Sequence, residues 1–333
     1  MTNKKHYFLG VDTGGSKSHA LIADESGQAI GFGKGGPGNW ESIGYPGLTK
    51  VLLNITKQAV EMAGIYINQI TGAGFGIAGY DWPSQREAHI EAIKSLKLYA
   101  PFEIVNDVII ALLAGASEGW GIAVVAGTGS NCRGWDKEHH REGRLIATGE
   151  FSGESGGGGD MVWRALQAIA YEWTCRGPAT QLTPAFIKAK GARDLADLIE
   201  GLTIHKYQES PADAILVFQV ATKGDPIANK IIKDTGYELG DMARGVIRQL
   251  GFEKLEFEVV MGGSLFDGSP LLTESMRFAI HELAPSARLV RLKAPPVVGG
   301  VVLGMEQAGM DARPVRSQLL LSTQELLQKL SGQ

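Results

Sequence analysis

Two stretches of this chain, 7–33 and 121–149, repeat one outline, and that repetition limits its fold more than any other feature. In the first, the apolar run YFLGV meets the turn DTGG and continues through SHALIAD, the turn ESGQ and AIGFG. In the second, GIAVVAG meets TGSN and continues through CRGWD, the polar turn KEHHREG and RLIATG. Short apolar runs bounded by Gly, Asn, Asp and Ser read as strands joined by tight turns. Residue identity between the stretches is slight, and chance similarity is the alternative. The match in order and turn chemistry points to a duplicated βββ unit.

Each unit leads into helices. Leu48, Val51, Leu52, Ile55, Ala59 and Met62 share one helical face over 48–63, and Gly64 supplies a stop. Ser84 with Glu87 predicts a capping box for a helix through Lys97. Between these helices TGAGFGIAG reads as a buried, glycine-rich strand, and FEIVND as another that ends in an acid at Asp107. The second half reads as helix over about 160–175, 183–200, 212–223 and 226–249. Then come the strand LEFEVVMGG ending at Gly263, the strand ARLVRLKA, the turn PPVVGG and a helix through Gln307. Strands alternating with helices after a meander predict an α/β fold with mixed sheets.

At 333 residues the chain is long for one small core, so two domains are expected. The small-residue stretch LLAGASEGWG marks the boundary, giving domains of 1–117 and 118–317, the second with a helical insertion over about 160–250. The amphipathic segment 318–331 is expected to pack back on the first domain.

Composition narrows the function. Hydrophobic content of 44% and charged content of 20% belong to an ordinary globular protein. A net charge of −4 with no basic block argues against nucleic acid and anionic lipid as partners. The start, MTNKKHYFLG, lacks a signal-peptide h-region, and no run approaches a spanning helix, so a cytoplasmic location is expected. Cys132 and Cys175 lie far apart without CxxC spacing or neighbouring histidines, which argues against a zinc or iron–sulfur site within one chain. His139 and His140 sit in a charged turn and read as solvated.

Three turns could carry chemistry: DTGGSK at 12–17, AGTGSN at 126–131 and MGGSLF at 261–266, each after an apolar strand. Glycines let backbone amides approach phosphate oxygens, hydroxyls and a lysine can donate to them, and a nearby carboxylate can hold Mg²⁺ through water. A tight hairpin with an incidental acid is the plain reading of any one turn. GxxxxGK[ST] and GxGxxG are both absent from DTGGSK, and that turn leads into a strand rather than a helix. Asp107 could accept a proton from a substrate hydroxyl, or cap the apolar helix that begins near Val108.

The combination resembles the acetate and sugar kinase, Hsp70 and actin superfamily, and within it the N-acetylglucosamine kinases close to the BadF/BadG/BcrA/BcrD ATPases. GVDTGGSKS, GPGNW, GIAGYD, VNDVIIALLAG, AGTGSNCR and MGGSLF carry the resemblance over nearly the whole chain. It implies two ribonuclease H-like, actin-like ATPase domains, each a mixed five-stranded sheet flanked by helices, that clamp ATP in the cleft between them. It also implies transfer of the γ-phosphate of Mg·ATP to the 6-hydroxyl of N-acetylglucosamine or glucosamine. By the same resemblance Asp12 positions Mg²⁺, and Gly14, Gly15, Ser16 and Lys17 form a first phosphate loop. Gly127, Thr128 and Gly129 form a second, Gly262 and Gly263 an adenosine loop, and Asp107 is the base. Asn39, Ser130 and Asn131 resemble the sugar-contacting set, though local turn chemistry accounts for each equally. A homodimer whose cleft closes about a hinge near 115–120 is expected on the same ground.

One departure stands out. Where the family commonly shows GDEGS, this chain reads SGESGGGGD at 152–160. Glu154 is the best match to the family's sugar-binding acid, with a solvated loop acid as the alternative, and the four glycines read as a pliable loop. Two other functions compete with the kinase. A BadF-type ATPase that activates a partner enzyme would carry a cluster held by cysteines of two subunits, which neither Cys132 nor Cys175 resembles. A sugar-responsive regulator would need a DNA-reading domain ahead of the first loop, where eleven residues precede Asp12, and a noncatalytic sensor would not need both Asp12 and Asp107.

Overall fold

The computed structural model describes residues 5–146 and 152–332. The chain opens with β1 (Tyr7–Thr13), β2 (Ser18–Asp24) and β3 (Ala29–Gly35), then α1 (Trp40–Ala63), β4 (Ile70–Ile77), α2 (Arg86–Lys94), β5 (Phe102–Val105) and α3 (Asp107–Gly115). It continues with β6 (Gly121–Ala126), β7 (Ser130–Trp135) and β8 (Glu142–Arg144). Five helices follow: α4 (Gly158–Trp173), α5 (Leu182–Lys190), α6 (Leu195–Thr203), α7 (Ala214–Ala221) and α8 (Pro226–Leu250). The remainder is β9 (Phe257–Gly262), α9 (Pro270–His281), β10 (Ala287–Arg291), α10 (Val297–Gln307) and α11 (Arg316–Ser331).

The strands form two five-stranded sheets, ordered β3-β2-β1-β4-β5 and β8-β7-β6-β9-β10. In each, the first three strands are antiparallel, and two parallel strands are added beside the first. The repeated outline in the sequence is therefore a repeated topology. β1 is buried along most of its length because helices cover both faces of the sheet: α1 lies against β3 and β2, and α10 against β1 and β4.

Glycine lets α10 lie directly on the first sheet. A Cβ on Gly72 would stand 2.0 Å from the Gly304 carbonyl oxygen, and one on Gly74 2.3 Å from that of Gly300. α10 crosses α3 as closely, since a Cβ on Gly299 would meet the Ile110 carbonyl at 1.9 Å. The buried face of α3 in turn joins Ala123, Trp135 and Val260 of the second sheet to Val105 and Leu303. α3 and α10 are thus the packed joint between the sheets, and α3 begins at Asp107.

The structure moves several predicted boundaries. α1 starts at Trp40, capped by Asn39 and kinked at Gly44 (φ 67°) ahead of Pro46, rather than at 48. No Ser84–Glu87 box forms. Pro83–Gln85 is a 3-10 turn in which Gln85 Oε1 accepts from the Asp81 and Trp82 amides at 2.8 and 2.9 Å, and α2 stops at Lys94. The helix predicted over 183–200 is two, divided at Gly191 (φ 67°) and restarted by the Asp194 cap. The strand predicted over 144–149 is β8, which ends at Arg144; 147–149 lie outside the described residues.

α11 packs on the first sheet: Ser322 Oγ accepts from the Ala29 amide and donates to the Gly27 carbonyl, both at 2.9 Å. Among the described residues no helix is long and apolar enough to cross a membrane.

Candidate active site

A cleft of about 540 Å³ is lined by Asp12, Gly14, Gly15, Ser16, Lys17, Asn39, Asp107, Gly127, Thr128, Gly129, Ser130 and Asn131. It gathers twelve of the residues singled out in the sequence. Its first wall is the β1–β2 turn, closed by the Gly14 amide on the Lys17 carbonyl (3.0 Å), with Gly15, Ser16 and Lys17 exposed at the tip. The Gly38 amide donates to the Gly14 carbonyl (2.9 Å), which brings Asn39 alongside. Asn39 Oδ1 caps α1 by accepting from the Glu41 amide at 2.9 Å.

Asp107 stands at the first position of α3. The helix is capped by its neighbour: Asn106 Oδ1 accepts from the Val108 amide at 3.0 Å, and the Asp107 carboxylate also lies against the Val108 amide and its own, which favours its ionised form.

The opposite wall is the loop after β6, where the Gly127 amide donates to the Gly129 carbonyl at 2.8 Å. The four glycines that read as a pliable loop have a packing role instead. A Cβ on Gly157 would lie 2.5 Å from Gly129 Cα, the Gly158 amide donates to the Gly127 carbonyl (2.8 Å), and the Gly159 amide to that of Thr128 (3.1 Å). The N-terminus of α4 is thereby pressed against the loop, with Asp160 Oδ2 accepting from the Gly157 amide at 3.0 Å.

Glu154, Gly262 and Gly263 are not among the lining residues. Glu154 Oε1 accepts from the Ile146 amide at 2.7 Å, while its Oε2 is buried without a partner among the described residues. Gly263 (φ 93°) sits under the second loop, where a Cβ would stand 2.1 Å from the Ala126 carbonyl oxygen.

The electrostatics are those of crowded carboxylates. Burial, with the Asp107 charge adding to it and Lys17 opposing, pushes Asp12 up to about 8. Burial likewise pushes Asp107 up to about 6, with Arg133 pulling it down and Asp81 pushing it further up. His19 Nδ1 lies 3.9 Å from Asp12 Oδ2, yet burial and then Lys17 hold the imidazole down to about 4, so it is neutral. Among the described residues no group of three or more His, Cys, Asp or Glu could cage a metal ion.

Sequence reasoning singled out neither Glu41, Asp81, Asn106 nor Arg133. Glu41, Asp81 and Asn106 line the cleft, and Arg133 Nη2 donates to Asp81 Oδ1. The signal was an arginine at an otherwise apolar strand position in CRGW, and an aspartate just past the β4 strand in AGYD. His139 is also not the solvated residue it was expected to be. Its ring stacks on Trp135 (centroids 4.4 Å apart), and its Nε2 lies 2.9 Å from the Gly119 carbonyl oxygen.

Comparisons agree with this architecture. The chain is 26% identical over 304 residues to the N-acetylmuramic acid/N-acetylglucosamine kinase of Clostridium acetobutylicum, covering 90% of this chain and 99% of that one. It is 27% identical over 319 residues to the N-acetyl-D-glucosamine kinase of Dictyostelium discoideum, covering 90% and 98%. The fold also matches a ROK family glucokinase of Streptomyces griseus, solved with glucose and AMPPNP, at a TM-score of 0.57 and 17% identity over 90% of this chain and 99% of that one. The sequence profile of the BadF/BadG/BcrA/BcrD ATPase family matches residues 9–302, and the chain belongs to that family.

Proposed function

We propose that the protein is an ATP-dependent amino-sugar kinase that transfers the γ-phosphate to the 6-hydroxyl of N-acetylglucosamine or glucosamine, with Asp107 as general base. One observation carries the reading: Asp107, at the start of a helix whose cap is Asn106, shares one cleft with Asp12 and both glycine turns. An acid held near 6 is mostly ionised at neutral pH, so it can accept a proton there. The sugar hydroxyl gives its proton to an Asp107 carboxylate oxygen as its own oxygen forms a bond to the γ-phosphorus. The bond from that phosphorus to the bridging oxygen breaks, and ADP leaves. Backbone amides and side chains of 14–17 and 127–129 would bind the phosphates, with 262–263 toward the adenosine. Asn39, Ser130, Asn131 and Glu154 would hold the sugar.

Mg²⁺ fits this donor set. A caging site is absent among the described residues, but Asp12 is a half-buried carboxylate at the cleft whose ionisation is disfavoured, and a cation carried by the nucleotide would offset that. When bound, Mg²⁺ supplies charge neutralisation at the phosphates. We place the lobe boundary near 117, with α10 of the following segment, expected over 118–317, packed back on the first sheet, and with closure about 115–120 excluding the water that competes for the γ-phosphate.

The test is ADP release from Mg·ATP with no sugar and with N-acetylglucosamine, glucosamine, N-acetylmannosamine and glucose. Strong stimulation by one amino sugar supports the kinase and names its substrate. Sugar-independent hydrolysis, or none, overturns it in favour of a partner-activating ATPase or a sensor.

A further inference from the structure

Beside the cleft, one aspartate of the first sheet's lobe is gripped by two arginines of the second. Asp81 follows β4. Its Oδ1 accepts from Arg133 Nη2 on β7, and its main-chain carbonyl accepts from Arg144 Nη1 at 2.6 Å at the end of β8. Arg133 is 1% exposed, and its other amino group, Nη1, donates to Glu142 of β8. The Arg144 guanidinium also lies over the Trp82 ring, 5.0 Å from its centroid. On the first lobe's own side, Asn106 Nδ2 donates to Asp81 Oδ1 at 3.1 Å. A single chain of hydrogen bonds therefore runs Glu142, Arg133, Asp81, Asn106, and Asn106 is the cap of the helix whose first residue is Asp107.

We infer that the Arg133 and Arg144 grip on Asp81 is a cross-lobe clamp that sets where Asp107 stands relative to the 127–129 loop, with both arginines acting as positioning residues. The clamp presupposes the kinase reading for its effect on turnover, but not for its geometry. A buried ion pair contributes little net stability against an apolar replacement, because desolvation offsets the attraction, yet its directional bonds fix register. Here they fix two strands of one lobe to the turn after β4 of the other, and Asn106, bonded to Asp81 in that turn, ties it to the start of the base-bearing helix. Opening the cleft on this side would break the Arg133–Asp81 and Arg144–Asp81 bonds together. A closed cleft and a correctly seated α3 N-terminus are thereby made one event. The arginines need not touch either substrate.

The variants are R144Q, R133K, R133Q and the double variant D81N/R133Q. Sugar-stimulated ADP release is measured with kcat and KM separated, beside sugar-independent hydrolysis. A misplacement of about 1 Å can cost on the order of 100-fold in rate. R144Q is expected to lose roughly tenfold in kcat with KM for ATP changed by less than about threefold, and R133Q to lose more, with partial recovery in R133K. D81N/R133Q should be no worse than R133Q alone, since the two share one interaction. If R133Q does not fold, R144Q and R133K decide. Wild-type kcat in both overturns the clamp and leaves the kinase reading standing. Absence of sugar-dependent transfer in the wild type overturns the kinase reading instead. In that event hydrogen exchange at the 79–82 amides tests the clamp alone: faster exchange in R144Q supports it, and unchanged exchange refutes it.

Discussion

Replacing Asp107 by Asn tests the site's electrostatics and its chemistry in one variant. In the fold the carboxyl is pushed from its ordinary 3.8 to about 6, chiefly by burial. A raised value means that the folded protein binds the proton more tightly than the unfolded chain does. The stabilisation is complete below about pH 4 and is lost as pH rises through 6. A shift of about two units corresponds to about 3 kcal/mol, and the group lines a solvent-filled cleft, which brings the expectation to about 1–3 kcal/mol. Asparagine keeps the shape and is neutral throughout. D107N should therefore be more stable than the wild type at pH 8, by a few degrees in Tm, with only about one third of that gain at pH 4.5. Thermal unfolding at both pH values, without nucleotide, sugar or divalent cation, reads this directly. The same variant should lose about 10²–10⁴ in sugar-dependent turnover, because an amide cannot take the proton. A gain equal at both pH values, or a loss at pH 8, refutes the burial argument. Near-wild-type turnover refutes the base.

Three further outcomes follow from the same geometry. For the wild type, kcat/KM should fall about tenfold per pH unit below about pH 6, as Asp107 takes up its proton; a flat profile down to pH 5 would mean that another group accepts the proton. Gly157→Ala places a Cβ 2.5 Å from Gly129 Cα and must displace the loop, so KM for ATP should rise by about tenfold, whereas Gly36→Ala, outside the cleft lining and with nothing within 4 Å, should change it by less than about twofold. Ser322→Ala orphans the Ala29 amide and the Gly27 carbonyl, and should cost about 1–3 kcal/mol in denaturant unfolding while leaving kcat unchanged.

What the sequence disclosed was local in character. The strand periods of YFLGV and GIAVVAG, and the turns that follow them, depend on residues a few positions apart, so the duplicated meander and most helices could be read directly. The end of α10 at Gln307 was legible, but its start was not: PPVVGG reads as a turn, whereas the helix begins at Val297 because Gly299 and Gly300 are where its backbone lies directly on Ile110 and Gly10. Where tertiary contacts decide, the reading slipped. Ser84 and Glu87 have capping-box spacing, but Gln85 turns inward to the Asp81 and Trp82 amides and claims the turn. The run at 156–159 shows the same limit. Four glycines in a row suggest slack until the loop at 127–129, some thirty residues away, is seen to lie where a Cβ on Gly157 would stand and to crowd one on Gly158. Asp12 and Asp107 could be proposed because each sits at a strand-to-turn junction that the sequence displays. Arg133 could not, since one partner, Glu142, is on the neighbouring strand while the other, Asp81, lies in the turn after β4 beside the first sheet, and only the fold reveals that a strand arginine spans them. Residues that present chemistry to a ligand left a local mark here, while those that hold the two lobes in register left almost none. The charge that most favours ionised Asp107 belongs to this second kind: Arg133 opposes the burial that would otherwise keep the carboxyl protonated. The strength of the base is therefore a property of the assembled lobes, and no motif around Asp107 could have revealed it.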